Sequence, residues 1–498
     1  MSKKNWCFPG LALAALVLSL TAGSVVAQGP MWEPVLIGST GGFFPDGVID
    51  SPFRVAVDPS NADVIYMGTG VIPTPGEPPP PADGLWKTID GGDSWTQINE
   101  PSTGDPDLDF FELTADTTLL DVAVCAANPQ ILAVAANPKG FFRSEDGGST
   151  WSWIAGGIVH TDADPGHCGA LSHPDETFDT VNGRWTGAAV AFDPNDCDTM
   201  YAGAADLNAI DLGIGTGDHP GVFKTTDGGA TWSALNGAFD PRVDALSCNG
   251  GLVSKSVAPI SLAVGGSGDV YLASTEQEAD ANIFGKNAES QLRVWTNSGA
   301  GNWTEVSNGL AATEISQGAG FGELVAATVS AGFIRVSPTD NFFVVSHLGI
   351  ASKILLSGTE ITYKSTGIYA TLDLSNWVPR DTGIPVISDG LSSNAQNVIG
   401  APTVNPGNTS LWVAGNGIAD VGNDDGSQVY GGPNFGANWV NAGGLIGGLS
   451  DSPTGLTESS IFFIEWDANG ACLYATVLWD FRGGSTTVDD GLYRACIF

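Results

Sequence analysis

Four of the five histidines fall in two stretches that also carry aspartates, and these residue types suit acid–base chemistry or metal binding. The histidines are His160, His167, His173 and His219. Imidazole titrates near neutral pH and is a common metal ligand. Their spacings match no metal signature, so ordinary loop polarity is the main alternative. No catalytic residue is assigned from the sequence.

A run of carboxylates in DPDLDFFELTAD (residues 105 to 116) could hold a cation. Asp105, Asp107, Asp109 and Asp116 supply hard oxygen donors, which calcium prefers. The sixth position is Phe110 where an EF-hand needs glycine, so the run does not match that motif. Calcium is therefore a candidate cofactor, and a solvated acidic loop is the alternative.

The overall charge excludes one class of partner and the first residues indicate export. There are 55 acidic against 18 basic residues, a formal charge of -37, which argues against nucleic acid. Residues 1–27 read as a secretory signal peptide, with a basic start, a short apolar core and a small-residue end. We expect residues 28–498 to form a single extracellular or periplasmic domain, a monomer without a membrane span.

Three octapeptides repeat along the chain: TIDGGDSW (88 to 95), SEDGGSTW (144 to 151) and TTDGGATW (225 to 232). They match the Asp-box, or BNR repeat, which in the families carrying it forms the turn between the third and fourth strands of a β-propeller blade. The aspartates should accept hydrogen bonds from turn amides, and the tryptophans should pack between blades. These residues are Asp90, Trp95, Asp146, Trp151, Asp227 and Trp232. Tryptophans in NWTEV, NWVPR and NWVNA continue the series without the aspartate.

Two counts predict the blade number. Strand–turn–strand patterns such as AVDPSNADVIYMGTG (56 to 70) occur seven times, and MWEPV (31 to 35) and GLYRACI (491 to 497) read as complementary halves of one unit. The expected fold is all-β, a seven-bladed β-propeller whose ring is closed by the N-terminal strand completing the last blade. A six-bladed ring like that of sialidases is the main alternative.

This expected topology also predicts which cysteines form disulfides. Six cysteines remain after the leader, and an even number in an exported chain indicates disulfides. Cys472 and Cys496 fall on neighbouring strands of the last blade. Pairing within one face of the ring favours Cys168 with Cys248 and Cys125 with Cys197, because bridged Cα atoms lie within about 7 Å.

The repeat resembles that of sialidases, xyloglucanase-type hydrolases, sortilin luminal domains and photosystem II assembly factors. Arg54, in Phe53-Arg54-Val55, resembles the start of the sialidase F/Y-R-I-P motif, although Ala56 replaces the proline. The resemblance implies a platform that binds a glycan, peptide or protein on its long-loop face, where Arg54 and the histidines are candidate ligand contacts. A glycan-active enzyme is the alternative, and the motif alone does not decide between them.

Overall fold

The computed structural model describes the strands and their short connections. The described residues are 33–35, 52–69, 84–100, 112–114, 117–137, 139–157, 186–205, 221–235, 253–280, 288–298, 303–310, 312–316, 324–337, 343–355, 358–380, 382, 402–415, 429–432, 436–438, 440–441, 460–478 and 491–496.

The described structure is all-β, apart from a 3₁₀ turn at Ala155–Gly157. We number the strands in chain order: β1 Glu33–Pro34, β2 Pro52–Val57, β3 Ile65–Thr69, β4 Leu85–Thr88, β5 Thr96–Gln97, β6 Thr118–Val124, β7 Leu132–Asn137, β8 Gly140–Ser144, β9 Ser152–Trp153, β10 Thr186–Asp193, β11 Asp196–Ala205, β12 Gly221–Thr225, β13 Ser233–Ala234, β14 Val253–Val264, β15 Val270–Asp280, β16 Ala288–Asn297, β17 Thr304–Glu305, β18 Ala312–Ser316, β19 Leu324–Val336, β20 Phe343–Leu355, β21 Gly358–Thr371, β22 Val378–Pro379, β23 Thr403–Asn405, β24 Asn408–Gly415, β25 Val429–Gly432, β26 Val440–Asn441, β27 Ser460–Trp466, β28 Cys472–Leu478 and β29 Gly491–Cys496.

Six sheets are each built from four strands that follow one another in the chain, and we call them blades 1 to 6. They are β2–β5, β6–β9, β10–β13, β14–β17, β19–β22 and β23–β26, with β18 added to blade 4. A separate sheet combines the two chain ends in the order β1-β29-β28-β27, and we call it the closure sheet. The blade count is six, so the prediction of a seven-bladed propeller was wrong.

The error arises because the sequence count took every strand–turn–strand pattern as one blade. The last pattern supplies only β27, β28 and β29, and the fourth strand of its sheet comes from the other end of the chain. Glu33 pairs with Arg494 and Pro34 with Tyr493, as the complementary sequence halves predicted. Val35 is buried beside Trp95 and Leu492, so this short strand covers an apolar cluster shared with blade 1.

The strand order defines two faces of the assembly. First-to-second and third-to-fourth strand turns share one face, which we call the turn face, because antiparallel strands reverse direction at each connection. Two basic residues tie neighbouring sheets together there. Lys87 Nζ donates to the Gly147 carbonyl of the next blade at 2.8 Å, and Arg494 of the closure sheet donates to the Gly91 carbonyl of blade 1.

Among the described residues, the strands of blades 4 and 5 extend farther on the opposite face than those of blades 1 to 3. Their third strands contain 10 and 14 residues, whereas the third strands of blades 1, 2 and 3 contain 4, 5 and 5. In blade 5 the register continues to the pair Leu355 and Gly358, so the second and third strands are joined by a two-residue connection. Part of the face that was predicted to carry long loops is therefore strand.

Candidate functional site

The innermost strands converge on an axial pocket of about 350 Å³. Its lining comes from β2, β6, β19, β23 and β27 and includes the charged residues Arg54, Asp121, Arg335 and Glu465. Pro59, Ala126, Pro406 and Ala468 also line it, and these lie in or directly after first-to-second strand turns. The described pocket therefore lies toward the turn face.

A recurring β-bulge sets the positions of several axial residues. The register of the first strand shifts directly before Arg54, Asp121, Ala189, Ser261 and Phe463. A bulge re-aims a side chain and leaves backbone groups unpaired in its own ladder. At three of these positions the side chain bonds the innermost strand of the next blade. The repeated bulge is therefore part of how the blades are joined at the axis.

Arg54 is the central charge of the pocket. Its Nε donates to the Leu120 carbonyl at 2.9 Å and lies 3.4 Å from Asp121 Oδ1. The guanidinium carbon is 4.2 Å from the ring centroid of Phe463 and 5.4 Å from that of Phe333, within cation–π range. Burial lowers the pKa of Arg54, Asp121 opposes this effect, and Arg335 adds to it.

Three carboxylates line the pocket. Asp467 Oδ1 accepts from the Ala471 amide of its own turn at 2.7 Å, whereas Asp121 and Glu465 bind neighbouring strands. Asp121 Oδ2 accepts from the Val190 amide of blade 3 at 3.0 Å, and its Oδ1 accepts from the Val122 amide at 3.0 Å. Glu465 Oε2 accepts from Arg335 Nη2 at 2.7 Å, and its Oε1 accepts from the Thr403 hydroxyl at 3.1 Å. Every oxygen of this pair therefore already accepts a hydrogen bond.

The Ser261 hydroxyl also bonds a neighbouring strand, but it carries no charge. It accepts from the Ile334 amide at 3.2 Å and so joins blade 4 to blade 5. Arg54, Asp121 and Ser261 thus use three different chemistries at one repeated position. Arg54 lines this pocket toward the turn face, whereas it was predicted to contact a ligand on the long-loop face. Its described contacts hold the fold together, and its role in ligand binding stays a prediction.

The turns carrying Asp90, Asp146 and Asp227 have the predicted hydrogen bonds. Asp90 Oδ1 accepts from the Thr88 hydroxyl at 2.7 Å and from the Ser94 amide at 2.9 Å. Asp146 and Asp227 repeat both contacts. These hydrogen bonds, first that from the Ser94 hydroxyl, lower the pKa of Asp90 to about 2. Such aspartates organise a turn and are unsuited to proton transfer near neutral pH.

The tryptophans that follow these turns join neighbouring blades. The indole N–H groups of Trp151 and Trp232 donate at 2.8 Å to the carbonyls of Ile98 and Ile154 in the preceding blade. Trp303 and Trp377 continue the pattern by donating to Leu235 and Val306. Trp95 instead donates to Gly92 within its own turn, and its ring packs with Val35 of the closure sheet.

Blade 5 contains a fourth aspartate turn that the sequence reading missed. Asp373 Oδ1 accepts from the Ser375 amide at 3.0 Å and from the Thr371 hydroxyl at 3.4 Å, although the stretch TLDLSNW is one residue shorter than the repeat. Leu374 has φ 61°, in the left-handed region. Thr371 and Asp373, two residues apart, were the signal that the sequence offered. The turn was missed because Trp377 follows one residue earlier than in the other repeats.

All of the other predicted ligand and metal-binding residues lie outside the described residues. His160, His167, His173, His219, Asp105, Asp107, Asp109 and Asp116 belong to this group. Within the described part of the chain, no three His, Cys, Asp or Glu residues form a group suited to a metal. No helix among the described residues is long and apolar enough to cross a membrane.

The described residues contain two disulfides, and both are pairs that the topology predicted. Cys125 bonds to Cys197 between blades 2 and 3, with Cα atoms 5.7 Å apart, and Cys472 bonds to Cys496 within the closure sheet. Cys168 and Cys248 lie outside the described residues. Disulfides persist in oxidising compartments, which is consistent with an extracellular location.

Comparisons with known proteins find β-propellers and leave the family unresolved. The chain is 24% identical over 245 residues to xyloglucanase Xgh74A of Acetivibrio thermocellus, covering 42% of this chain and 28% of that protein. It is also 24% identical over 345 residues to a Paenibacillus xyloglucanase, covering 57% of this chain and 30% of that protein. The chain thus spans less than a third of these relatives.

A solved structure with similar architecture is YCF48 from Cyanidioschyzon merolae. It has a TM-score of 0.45 and 13% identity, with coverage of 94% of this chain and 99% of that one. No family model matches the sequence.

Proposed function

We propose that the chain is an exported β-propeller that binds a glycan without cleaving it. The observation that disfavours hydrolysis by the axial pair Asp121 and Glu465 is that both carboxylates are engaged in holding the fold together. Glycoside hydrolysis uses one carboxylic acid to donate a proton and a second carboxylate as nucleophile or base. Asp121 and Glu465 already accept hydrogen bonds at every oxygen, so neither is poised to protonate a leaving group.

The glycan class is suggested by the two xyloglucanases to which the sequence is similar. The ligand surface we favour is the face opposite the turns. Blades 4 and 5 extend there, and departures from a repeat on one face often form its binding surface. The formal charge of -37 disfavours acidic polysaccharides, because long-range repulsion slows their approach. An uncharged glycan is therefore the proposed ligand.

The test uses purified residues 28–498 on a glycan array and in titration calorimetry with xyloglucan and other neutral polysaccharides. We expect saturable binding of at least one neutral glycan and no release of reducing ends over the same period. Absence of binding to every glycan would overturn the proposal, as would exclusive binding of acidic glycans.

A glycan-active enzyme is the second candidate, because both curated relatives named above are hydrolases. A reducing-end assay separates the two functions. If hydrolysis occurs and uses the axial pair, Asp121→Asn or Glu465→Gln removes it, whereas the exposed turn residue Asp63→Asn leaves it unchanged. Hydrolysis that survives both pocket substitutions would place the chemistry elsewhere in the protein.

We also propose that the protein binds calcium through the carboxylates of Asp105, Asp107, Asp109 and Asp116. A cation bound to the native state raises the melting temperature with its concentration. We expect a higher Tm in millimolar calcium than in chelator, and Asp107→Asn with Asp109→Asn should remove that difference. Equal melting temperatures in the two conditions would contradict the proposal.

A further inference from the structure

The axial pocket contains two buried charged groups whose hydrogen-bonding capacity is only partly used. Arg54 is 9% exposed and Asp467 is 5% exposed, and both line the cavity of about 350 Å³. The other charged residues of the lining are engaged with the protein, since Arg335 pairs with Glu465 and Asp121 binds two backbone amides. Buried polar groups normally have a full set of partners, so Arg54 and Asp467 point to a ligand.

The unused part of Arg54 is the edge of its guanidinium group that carries Nη1 and Nη2. Its Nε donates to the Leu120 carbonyl at 2.9 Å and lies 3.4 Å from Asp121 Oδ1, and the ring of Phe463, with its centroid 4.2 Å from the guanidinium carbon, covers one face. Among the described residues, none accepts a hydrogen bond from Nη1 or Nη2. This edge offers two parallel N–H groups, the geometry that binds both oxygens of a carboxylate.

The unused part of Asp467 is its second carboxylate oxygen. Oδ1 accepts from the Ala471 amide at 2.7 Å, and the backbone amide of Asp467 donates to the Cys472 carbonyl at 2.8 Å. No described residue donates to Oδ2 or forms an ion pair with this carboxylate. An ammonium group would complete it, because such a group supplies a positive charge together with three hydrogen-bond donors.

We propose that the axial pocket binds a small zwitterion, an amino acid or a dipeptide, whose carboxylate pairs with Arg54 and whose ammonium group pairs with Asp467. A ligand without net charge is not repelled by a protein of formal charge -37, whereas a simple anion is. The site differs from the proposed glycan surface in ligand class and lies toward the other face, and its existence does not depend on glycan binding.

The cavity also specifies the size and the body of the ligand. A volume of about 350 Å³ is at the lower end of the range for small-molecule pockets, which suits an amino acid or a dipeptide. Asp467 directly follows β27 at the turn face, and Arg54 lies within β2, so the carboxylate enters first. Val57, Val124 and Val404 contribute apolar walls between the charged groups. A fitting ligand therefore carries aliphatic side chains.

The test measures binding of L-valine and of L-valyl-L-valine to residues 28–498 by titration calorimetry, and the comparison of the two identifies the fitting length. The matched controls are the N-acetylated forms, which lack the ammonium group, and the C-terminal amides, which lack the carboxylate. We expect saturable binding of at least one zwitterion, and binding at least about tenfold weaker for both of its blocked forms. Absence of binding by both zwitterions would overturn the proposal, as would a blocked form that binds as tightly as the free one.

Substitutions in the protein assign the binding to this pocket. Asp467→Asn keeps an acceptor for the Ala471 amide and removes the charge, so it should weaken binding of the zwitterion at least about tenfold. The exposed turn residue Asp63→Asn changes the net charge equally and should leave the affinity unchanged. Equal affinities of wild type and Asp467→Asn would overturn the proposal. Arg54→Lys loses the two-donor edge and should also weaken binding. If Arg54→Lys fails to fold, the amide forms of the ligand test the same contact on the wild-type protein.

Discussion

Blades 1 to 3 and blades 4 and 5 are built from the same four-strand unit but differ in their turns and in the lengths of their strands. In the first group the repeated turns, tryptophans and basic residues make regular contacts with neighbouring sheets, as the Lys87–Gly147 and Trp151–Ile98 hydrogen bonds illustrate. In the second group the turns depart from the pattern and the strands lengthen on the opposite face. Regular positions therefore hold the ring together, and departures from regularity produce surfaces that the ring itself does not need.

The largest effect expected from this comparison is at the closure sheet. Deleting residues 28–37 removes β1 and Val35 and exposes the edge of β29 beside Trp95. We expect the free energy of unfolding to fall by more than about 5 kcal/mol, because a strand edge and a buried cluster both lose their cover. Chemical denaturation of residues 38–498 and of residues 28–498 measures this loss, and equal midpoints would show that the sheet does not need β1.

The next effect concerns the tryptophans that join blades. Trp377 is 1% exposed and donates to the Val306 carbonyl of blade 4 at 2.6 Å. Trp377→Ala should cost about 3–5 kcal/mol of stability through lost burial. Trp377→Phe keeps an aromatic ring and loses the donor, so it should cost about 1–3 kcal/mol. If both substitutions cost the same, the hydrogen bond rather than the packing dominates this contact.

The sequence predicted the repeated features well because each rests on local chemistry. The turn of Asp90 needs a hydroxyl, a carboxylate and glycines within eight residues, and all are visible in one octapeptide. The pairing of Cys472 with Cys496 follows from adjacent strands. Contacts between distant segments carry no such signal. Nothing near Arg54 in the sequence indicates that its Nε bonds the carbonyl of Leu120, because sheet stacking brings the two together.

The blade count failed for a related reason. A strand–turn–strand pattern shows that a hairpin forms, but whether four consecutive strands complete a blade depends on partners elsewhere in the chain. The extension of β21 was equally hidden, since residues 358–366 read as chain between two motifs and acquire their strand structure by pairing with β20.

A smaller effect on stability concerns the residue with positive φ, which is glycine in the regular turns and Leu374 in the turn of blade 5. Gly148 has φ +92°, and an added Cβ would clash with Ile98 Cδ1, so Gly148→Ala should destabilise the protein. At the irregular turn Leu374 holds a positive φ without being glycine. Leu374→Gly should therefore be more stable than Leu374→Ala by about 1 kcal/mol, the reverse of the usual order. Thermal melts of the two variants check the sign, and an alanine variant at least as stable would contradict the assigned backbone strain.

The smallest effect is the pH dependence of the aspartate turns. The Thr231 hydroxyl and amide and then the Thr225 hydroxyl lower the pKa of Asp227 from 3.8 to about 2. A carboxyl group whose folded pKa lies below its unfolded value stabilises the fold above the unfolded pKa, and this contribution disappears as the pH falls through the folded pKa. The Tm of the wild-type protein should therefore fall as the pH decreases from 4 to 2. Asp227→Asn should melt slightly lower than wild type at pH 6, and the two curves should approach each other toward pH 2. The control, Asp63→Asn, changes the charge equally outside the aspartate turns. If Asp63→Asn lowers the Tm relative to wild type by as much as Asp227→Asn does, with the same dependence on pH, the effect comes from net charge and not from the turn hydrogen bonds.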